Sequence, residues 1–316
     1  MAVVPQQSRN TGNGEEASIL KVLAWFDIFQ YPLLKSEIKK FLDQPVSDAT
    51  LEKALQRLLD AENVFRINDF YSLHSDCLPA EKRIQGNFRA EKLLPRAIKT
   101  GRFLFKFPFV RAIGVSGSLS KCYADEKADI DFFVITKANR LWIARTIMHI
   151  FKKVTFITGH QHFYCMNYYL DRTSLQLEDK NIFTAFEIKT LLPVSGRETM
   201  IDFFAANDWT NDFLPACNFR HQQKPEPGKS WLKRLVEWMF RNKTGDWLDN
   251  CLMKITSHRW EKKEENGKRN KKGLRMGLIT GKHFAWSNPG SFQEKVLSHY
   301  NQKLSDLKSK MPKWFD

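Results

Sequence analysis

Apolar positions between Glu15 and Leu73 follow helical spacing three times and then contract into two short runs. Ile19, Leu20, Leu23, Phe26 and Ile28 predict an amphipathic first helix. It should stop ahead of Tyr31-Pro32, because the residue before a proline is pushed out of the helical region. A short second helix is expected from about Lys35 to Leu42. A third begins at an Asp48 cap and sets Leu51, Leu55, Leu58 and Leu59 on one face. The runs Val64–Ile67 and Phe70–Leu73, parted by Asn68-Asp69, carry a hairpin signal.

Three helices and a hairpin give residues 15–78 the order of a winged helix-turn-helix. The candidate recognition helix, Asp48 to Ala61, sets Lys53 and Arg57 against Asp48, Glu52 and Asp60, a net charge of −1. A helix that enters the major groove needs positive charge and base-reading side chains. A protein-interaction or packing role therefore suits this module better than DNA reading. Residues 79–110 follow as a basic linking helix, Pro79 to about Thr100, interrupted near Gly86 and Pro95. An α/β core is expected over residues 111–215, with strands at Arg111–Val115, Asp129–Ile135 and His162–Leu170 and a helix over Asn139–Lys152. Helices at Asn181–Leu192 and Glu198–Asn207 complete it. Residues 216–316 read as a helical C-terminal region, with helices over Trp231–Arg241, Trp247–Lys262 and Phe292–Lys308. The last is capped by Ser291 with Glu294 three residues on, and a mobile basic loop is expected near 264–273.

Composition adds two constraints. The 316 residues are 42% hydrophobic, with 25 Phe and 9 Trp, enough for a sizeable core. The net charge of +15 attracts polyanions, RNA among them. That charge is concentrated: Glu81–Lys106 holds eight Lys/Arg against two Glu, and Arg259–Arg275 holds eight against three. The five cysteines are scattered and show no CxxC spacing, which argues for reduced thiols rather than a disulfide framework or a structural zinc. Residues 1–14 read as a disordered tail with no leader pattern, and no apolar run approaches a membrane span. The expectation is a soluble, cytoplasmic protein with no membrane partner.

The chemistry concentrates in Gly114-Val115-Ser116-Gly117-Ser118, then ten residues, then Asp129-Ile130-Asp131-Phe132. Residues two apart on a strand share a face, so Asp129 and Asp131 should project together. Adjacent carboxylates repel unless a cation lies between them, and such oxygen ligands suit Mg²⁺ or Mn²⁺. Gly117 and Ser118 open a short turn whose N–H groups, unobstructed at Gly117, make a phosphate seat. This order and spacing resembles the nucleotidyltransferase domain of the DNA polymerase β superfamily, in which a Gly-Ser turn precedes an Asp-x-Asp strand. The resemblance implies that Asp129 and Asp131 bind the metal, that Gly117 and Ser118 hold the triphosphate of an NTP, and that a nucleotidyl group moves to an acceptor hydroxyl. Lys121, flanking the site, could meet phosphate.

That superfamily places a third acid on a later strand, where this sequence has Asn167, a residue able to coordinate weakly but not to act as a base. Asp171 and Glu187 are the alternative carboxylates. From Cys165 to Pro215 the chain also resembles a bacterial group with a winged-helix module before this domain. Asn167-Tyr168, Phe183-Thr184-Ala185-Phe186-Glu187, Ala206-Asn207-Asp208-Trp209 and Leu214-Pro215 carry that resemblance, and the group's third strand also has Asn-Tyr.

Lys127 could also meet phosphate, and Lys282 and His283 an anion. His160 and His162 read as structural, and Trp231, Trp238 and Trp247 as helix-packing anchors. The fold expected is mixed α/β: a winged-helix-like module, a polymerase-β-like core and a helical C-terminal region. A nucleotide- or RNA-binding protein without turnover is the second functional reading, and a winged-helix DNA-binding regulator the third.

Overall fold

The computed structural model describes residues 14–126, 128–155, 165–220, 226, 228, 230–269, 273–287 and 289–315. Residues 1–13 of the expected tail and 270–272 of the expected basic loop, with Lys127, His160 and His162, lie outside the described residues. Gly14, the expected last residue of the tail, opens the first helix. The chain is mixed α/β and divides into two units: Met1–Arg83 with Asn211–Cys217 and Lys295–Asp316, and Ile84–Thr210 with Asn218–Glu294.

The first unit contains α1 (Gly14–Asp27), β1 (Leu33–Leu34), α2 (Lys35–Phe41), α3 (Asp48–Asp60), β2 (Phe65–Ile67) and β3 (Phe70–Ser72). The strands form an antiparallel sheet in the order β1-β3-β2. The expected hairpin closes on Asn68, whose positive φ of 55° suits a tight turn. Ser47, not Asp48, caps α3: its hydroxyl accepts the Thr50 N–H at 3.1 Å, and Asp48 sits in the first turn paired with Lys39 at 2.7 Å.

The first helix is not amphipathic as expected. Residues Glu16 to Ala24 are buried except Lys21, and Ile28 lies beyond its end. The C-terminal helix, Phe292–Lys310, supplies the cover that local spacing does not show. Tyr300 meets Trp25 edge-on at 5.1 Å, and Lys303 pairs with Asp27. Past that helix, the Trp314 indole donates to Asn63 at 2.7 Å. Ser291, the expected cap of that helix, has φ +52°, outside the extended conformation of a side-chain cap.

Arg83 belongs to the core rather than to a basic surface. It is 1% exposed, pairs with Glu37 at 2.7 Å and lies over the Tyr31 and Phe70 rings.

The unit boundary falls within α4 (Leu78–Leu104), which runs unbroken past both Gly86 and Pro95, contrary to the expected interruptions. Gly86 admits the Tyr123 ring, which would stand 2.2 Å from a Cβ there. Pro95 and Glu91 are both exposed, so the carbonyl that loses its helical partner lies on the wet face.

The second unit is built on a six-stranded sheet. Its elements are β4 (Val110–Val115), α5 (Gly117–Ser120), β5 (Asp131–Thr136), α6 (Leu141–Thr155), β6 (Cys165–Asp171), α7 (Ile182–Thr190), β7 (Leu192–Ser195), α8 (Arg197–Ala206), α9 (Trp231–Met239), α10 (Lys243–Glu265), β8 (Leu278–Thr280) and β9 (Phe284–Ser287). The order is β7-β4-β5-β6-β9-β8, with β5 and β6 parallel across the α6 crossover and the remaining pairs antiparallel.

Both faces of this sheet are covered. Phe132 and Val134 pack with Leu104, Leu141 and Trp142, whereas Phe133 and Ile135 pack with Ile188, Met200 and Phe203. Two-sided burial accounts for the uninterrupted apolar run in β5. Three strands run counter to expectation. β7 takes the end of the helix predicted to reach Leu192 and tolerates Pro193 because it is an edge strand. β8 and β9 extend the sheet from a region predicted to be mainly helical and without strands.

The expected tryptophan anchors are another correction. Trp231, Trp238 and Trp247 are 69%, 63% and 65% exposed. The inward face of α9 carries charge instead: Lys233 donates to the Phe105 and Val110 carbonyls, each at 2.8 Å. One turn on, Glu237 takes Arg111 at 2.8 and 2.9 Å and the Phe109 N–H at 2.7 Å. Burial raises the Glu237 carboxyl, but the Arg111 contacts outweigh it and hold it below its usual value.

On α6, Arg145 is 7% exposed and lies over Trp142 and Tyr169 at 5.6 and 5.9 Å, with no carboxylate beside it among the described residues. Cation–π contacts return at most about 2 kcal/mol. Burying an unpaired guanidinium costs several kcal/mol, so the aromatic contacts do not offset it.

Asp249 of α10 accepts the Ile143 N–H at 2.9 Å in the first turn of α6. Burial drives its pKa to about 6, against the Ile143 and Trp142 N–H groups and Arg140. Because the folded value lies above the unfolded one, this group favours the fold most below about pH 4. That contribution is lost as pH rises through about 6. Asp249→Asn keeps the acceptor without the charge and is expected to stabilise the protein by about 1–2 kcal/mol at pH 7.5. The gain should vanish near pH 4. Urea unfolding at the two pH values measures it, and equal gains at both would contradict the assignment.

Candidate functional site

The expected phosphate turn joins β4 to α5. After Val115 pairs with Phe132, the chain leaves the ladder through Ser116, whose N–H donates to the Asp131 carbonyl at 2.9 Å. Gly117 follows with φ +69°, and a Cβ there would stand 2.8 Å from Asp131 Oδ2. Glycine is required twice over: for the left-handed backbone and for the approach of the carboxylate. Ser118 is exposed at the start of α5.

Asp131 opens β5, whereas Asp129 precedes the strand, contrary to the expectation that both lie within it. The physical reason is the exit of β4 at Ser116: its antiparallel register with β5 ends at Val115–Phe132, short of Asp129. Both acids are half-buried, and Ile130 between them is fully buried. Cys165, opposite Asp131 in β6, senses both carboxylates. Burial pushes its thiol up, Lys152 opposes, and Asp129 and Asp131 push it up further.

Asn167 reaches the same place through a bulge. Phe132 pairs with Met166 and Phe133 with Tyr168, so Asn167 is the extra residue of β6. Bulges of this kind re-aim a side chain. Its amide nitrogen donates to Asp131 Oδ1. The amide therefore stabilises the carboxylate where a third acid would repel it.

Lys121 is held at the turn by the Gly117 carbonyl at 3.3 Å and by Glu187 at 2.7 Å. Glu187 thus serves as a counter-ion to that lysine. Arg220 donates to the Ser120 carbonyl at 2.6 Å, a contact no local sequence signal reveals because the two residues lie 100 positions apart.

Asp171 does not join this group. It ends β6, is 0% exposed, and accepts the Asn139 and Thr173 N–H groups at 2.9 and 2.8 Å and His283 Nδ1 at 2.9 Å. His283 is therefore engaged at the far end of β6 from Asp131.

Among the described residues, no group of three or more His, Cys, Asp or Glu side chains is arranged to hold a metal ion. Mg²⁺ at a nucleotide site, however, is commonly held by one or two carboxylates together with substrate phosphates and water. Asp129 and Asp131 beside the Gly117 turn fit that mode, and they do not fit an all-protein cage.

Asn167→Asp is expected to place a second carboxylate on Asp131. Without divalent cation the thermal midpoint should fall, and millimolar Mg²⁺ should restore it with a larger shift than in the unmodified protein. Equal Mg²⁺ shifts in the two proteins would show that Asn167 does not face the cation.

Among the described residues no helix is long and apolar enough to cross a membrane. Comparison with protein-family models, with curated proteins and with solved structures returns no match.

Proposed function

We propose that the second unit is a nucleotidyltransferase core of the polymerase-β type, moving a nucleotidyl group from an NTP to an acceptor hydroxyl with Mg²⁺ or Mn²⁺. The observation that supports this most is the approach of Asp131 to Gly117, which brings a carboxylate against the left-handed Gly-Ser turn. Asp129 and Asp131 would hold the metal, and the Gly117-Ser118 turn the triphosphate. The bound cation would supply charge neutralisation on the phosphates. The chain's own part is positioning: Ser116 ties the turn to β5, Lys121 and Arg220 brace it, and Asn167 orients Asp131.

Three helices with a small antiparallel sheet favour a winged-helix-like role for the first unit, and its charge favours protein over DNA. On α3, Asp48 and Glu52 pair with Lys39 and Lys35 of α2, and Arg57 is tied to the buried Glu16. Lys53 is the helix's other cation.

A second reading, nucleotide binding without turnover, draws on Asn167 in the position of a base. The test is incubation with each labelled NTP, Mg²⁺ or Mn²⁺, and total cell RNA and protein. Label transfer supports the transferase. Tight NTP binding without transfer favours the binding protein, and the absence of both binding and transfer would leave neither reading standing.

A further inference from the structure

We propose that α6 and the end of α10 form a binding site for the phosphates of a single-stranded polynucleotide, with Arg145 and His149 at its base and Lys152, Lys153, Arg259, Lys263 and Lys268 around it. The site stands apart from the nucleotidyl-transfer reading and does not require it.

Its base is the anomaly noted in α6. Arg145 is almost wholly buried, its Nε has no hydrogen-bond partner among the described residues, and its visible contacts are the Trp142 and Tyr169 rings. One turn on, His149 lies 6.0 Å from Tyr169, and its Nε2 is likewise buried without a partner among the described residues. Leaving these two buried nitrogens unpaired costs stability, and an acceptor that reaches both would remove that cost. The planar guanidinium favours an oxyanion, and phosphate offers several acceptor oxygens to a donor pair.

The surroundings show why that acceptor should carry negative charge. Helix α10 packs along α6, and the charged groups that act on His149 and Lys263 are cations. Burial, then Arg145, Lys152, Lys153 and Lys263, hold the His149 imidazole well below its usual range. Burial, then Lys268, Lys153, Arg145 and Arg259, lower Lys263. The glutamates of this stretch, Glu261, Glu264 and Glu265, are exposed, and Glu261 lies 3.9 Å from His258. The residues outside the described ones carry one acidic side chain, Asp316.

Exposure is graded. Arg145 is buried, Lys152 and Lys263 are intermediate, and Lys153, Arg259 and Lys268 are exposed. One phosphate can use the base, but the outer cations need further charges at chain spacing. A recessed base with an exposed rim suits a flexible strand that can turn one phosphate inward, rather than a stiff duplex. The rim also approaches the candidate site: Lys152 donates to Cys165 Sγ at 3.3 Å, and Cys165 is the strand partner of Asp131.

The test measures fluorescence anisotropy of a labelled single strand of about 12 nucleotides on the full chain, without NTP or divalent cation. Parallel arms use a duplex, poly-glutamate and inorganic phosphate as competitors. The single strand should bind best, and Arg145→Met should weaken it at least about tenfold while leaving the thermal midpoint unchanged or raised. Lys263→Ala and Lys268→Ala should each flatten the dependence of log K on log salt by about 0.7. The His149 ring resonances should titrate at higher pH once the strand is bound. Asp131→Ala should retain strand binding, so loss of the transferase reading would leave this site intact. A lowered midpoint in Arg145→Met would make Arg145 a structural cation and overturn the proposal. So would unchanged strand affinity, or equal binding of duplex or poly-glutamate.

Discussion

Asp131→Ala is expected to lower the affinity for an Mg²⁺–nucleoside triphosphate by more than about a hundredfold, since removing even an outer partner of a metal ligand costs about 10–100-fold. Asp131 is the junction of the candidate site. Its carbonyl ties down the turn through Ser116, its Oδ2 faces Gly117, and its Oδ1 receives the Asn167 amide. Asn167→Ala removes only the last of these and should cost about tenfold. Calorimetric titration with a non-hydrolysable triphosphate measures both. Similar affinities for the unmodified protein and Asp131→Ala would remove the carboxylate from nucleotide binding and the proposed function with it. Loss of binding in both variants to the same extent would instead make Asn167 a partner of equal weight.

The largest effect on stability is expected at Gly196, between β7 and α8. Its φ is +88°, and a Cβ there would stand 2.1 Å from the Arg111 carbonyl oxygen and 2.4 Å from the Ala112 Cα. Both obstacles are backbone of β4, a strand hydrogen-bonded on each side to β5 and β7, so no side-chain rotation relieves the contact. Gly196→Ala should therefore cost more than about 3 kcal/mol, combining left-handed strain with displacement of an inner strand. Gly267 also has positive φ, +60°, but its Cβ would meet nothing within 4 Å. Gly267→Ala should cost only about 1 kcal/mol. Urea denaturation of the two variants compares them. A Gly196→Ala loss no larger than that of Gly267→Ala would mean that β4 yields to the new methyl group.

Local pattern was enough wherever an element's neighbours are close in sequence. The helices at Lys35 and Asp48, the hairpin around Asn68, and the strands at Val110 and Asp131 all follow from spacing, turn residues and apolar runs. The Gly-Ser turn and the Asp-x-Asp segment were also legible, because a left-handed glycine and paired acids are properties of the residues themselves.

What the sequence could not supply was the partner of each surface. α1 reads as one-faced until Tyr300 and Lys303, almost the whole chain away, cover its other side. Leu192 reads as the end of a helix until β4 offers Leu192–Ser195 an edge, and β8 and β9 become strands because β6 has one free to extend. α9 reads with its tryptophans inward until the open carbonyls of Phe105 and Val110 draw in Lys233 instead. The aim of Asn167 at Asp131 depends on a bulge, which is a mismatch between two strands and so belongs to neither segment alone. Residue type and spacing determine what a segment can form, but burial and hydrogen-bond partners are supplied by chain that is distant in sequence, and only the folded structure brings that chain into contact.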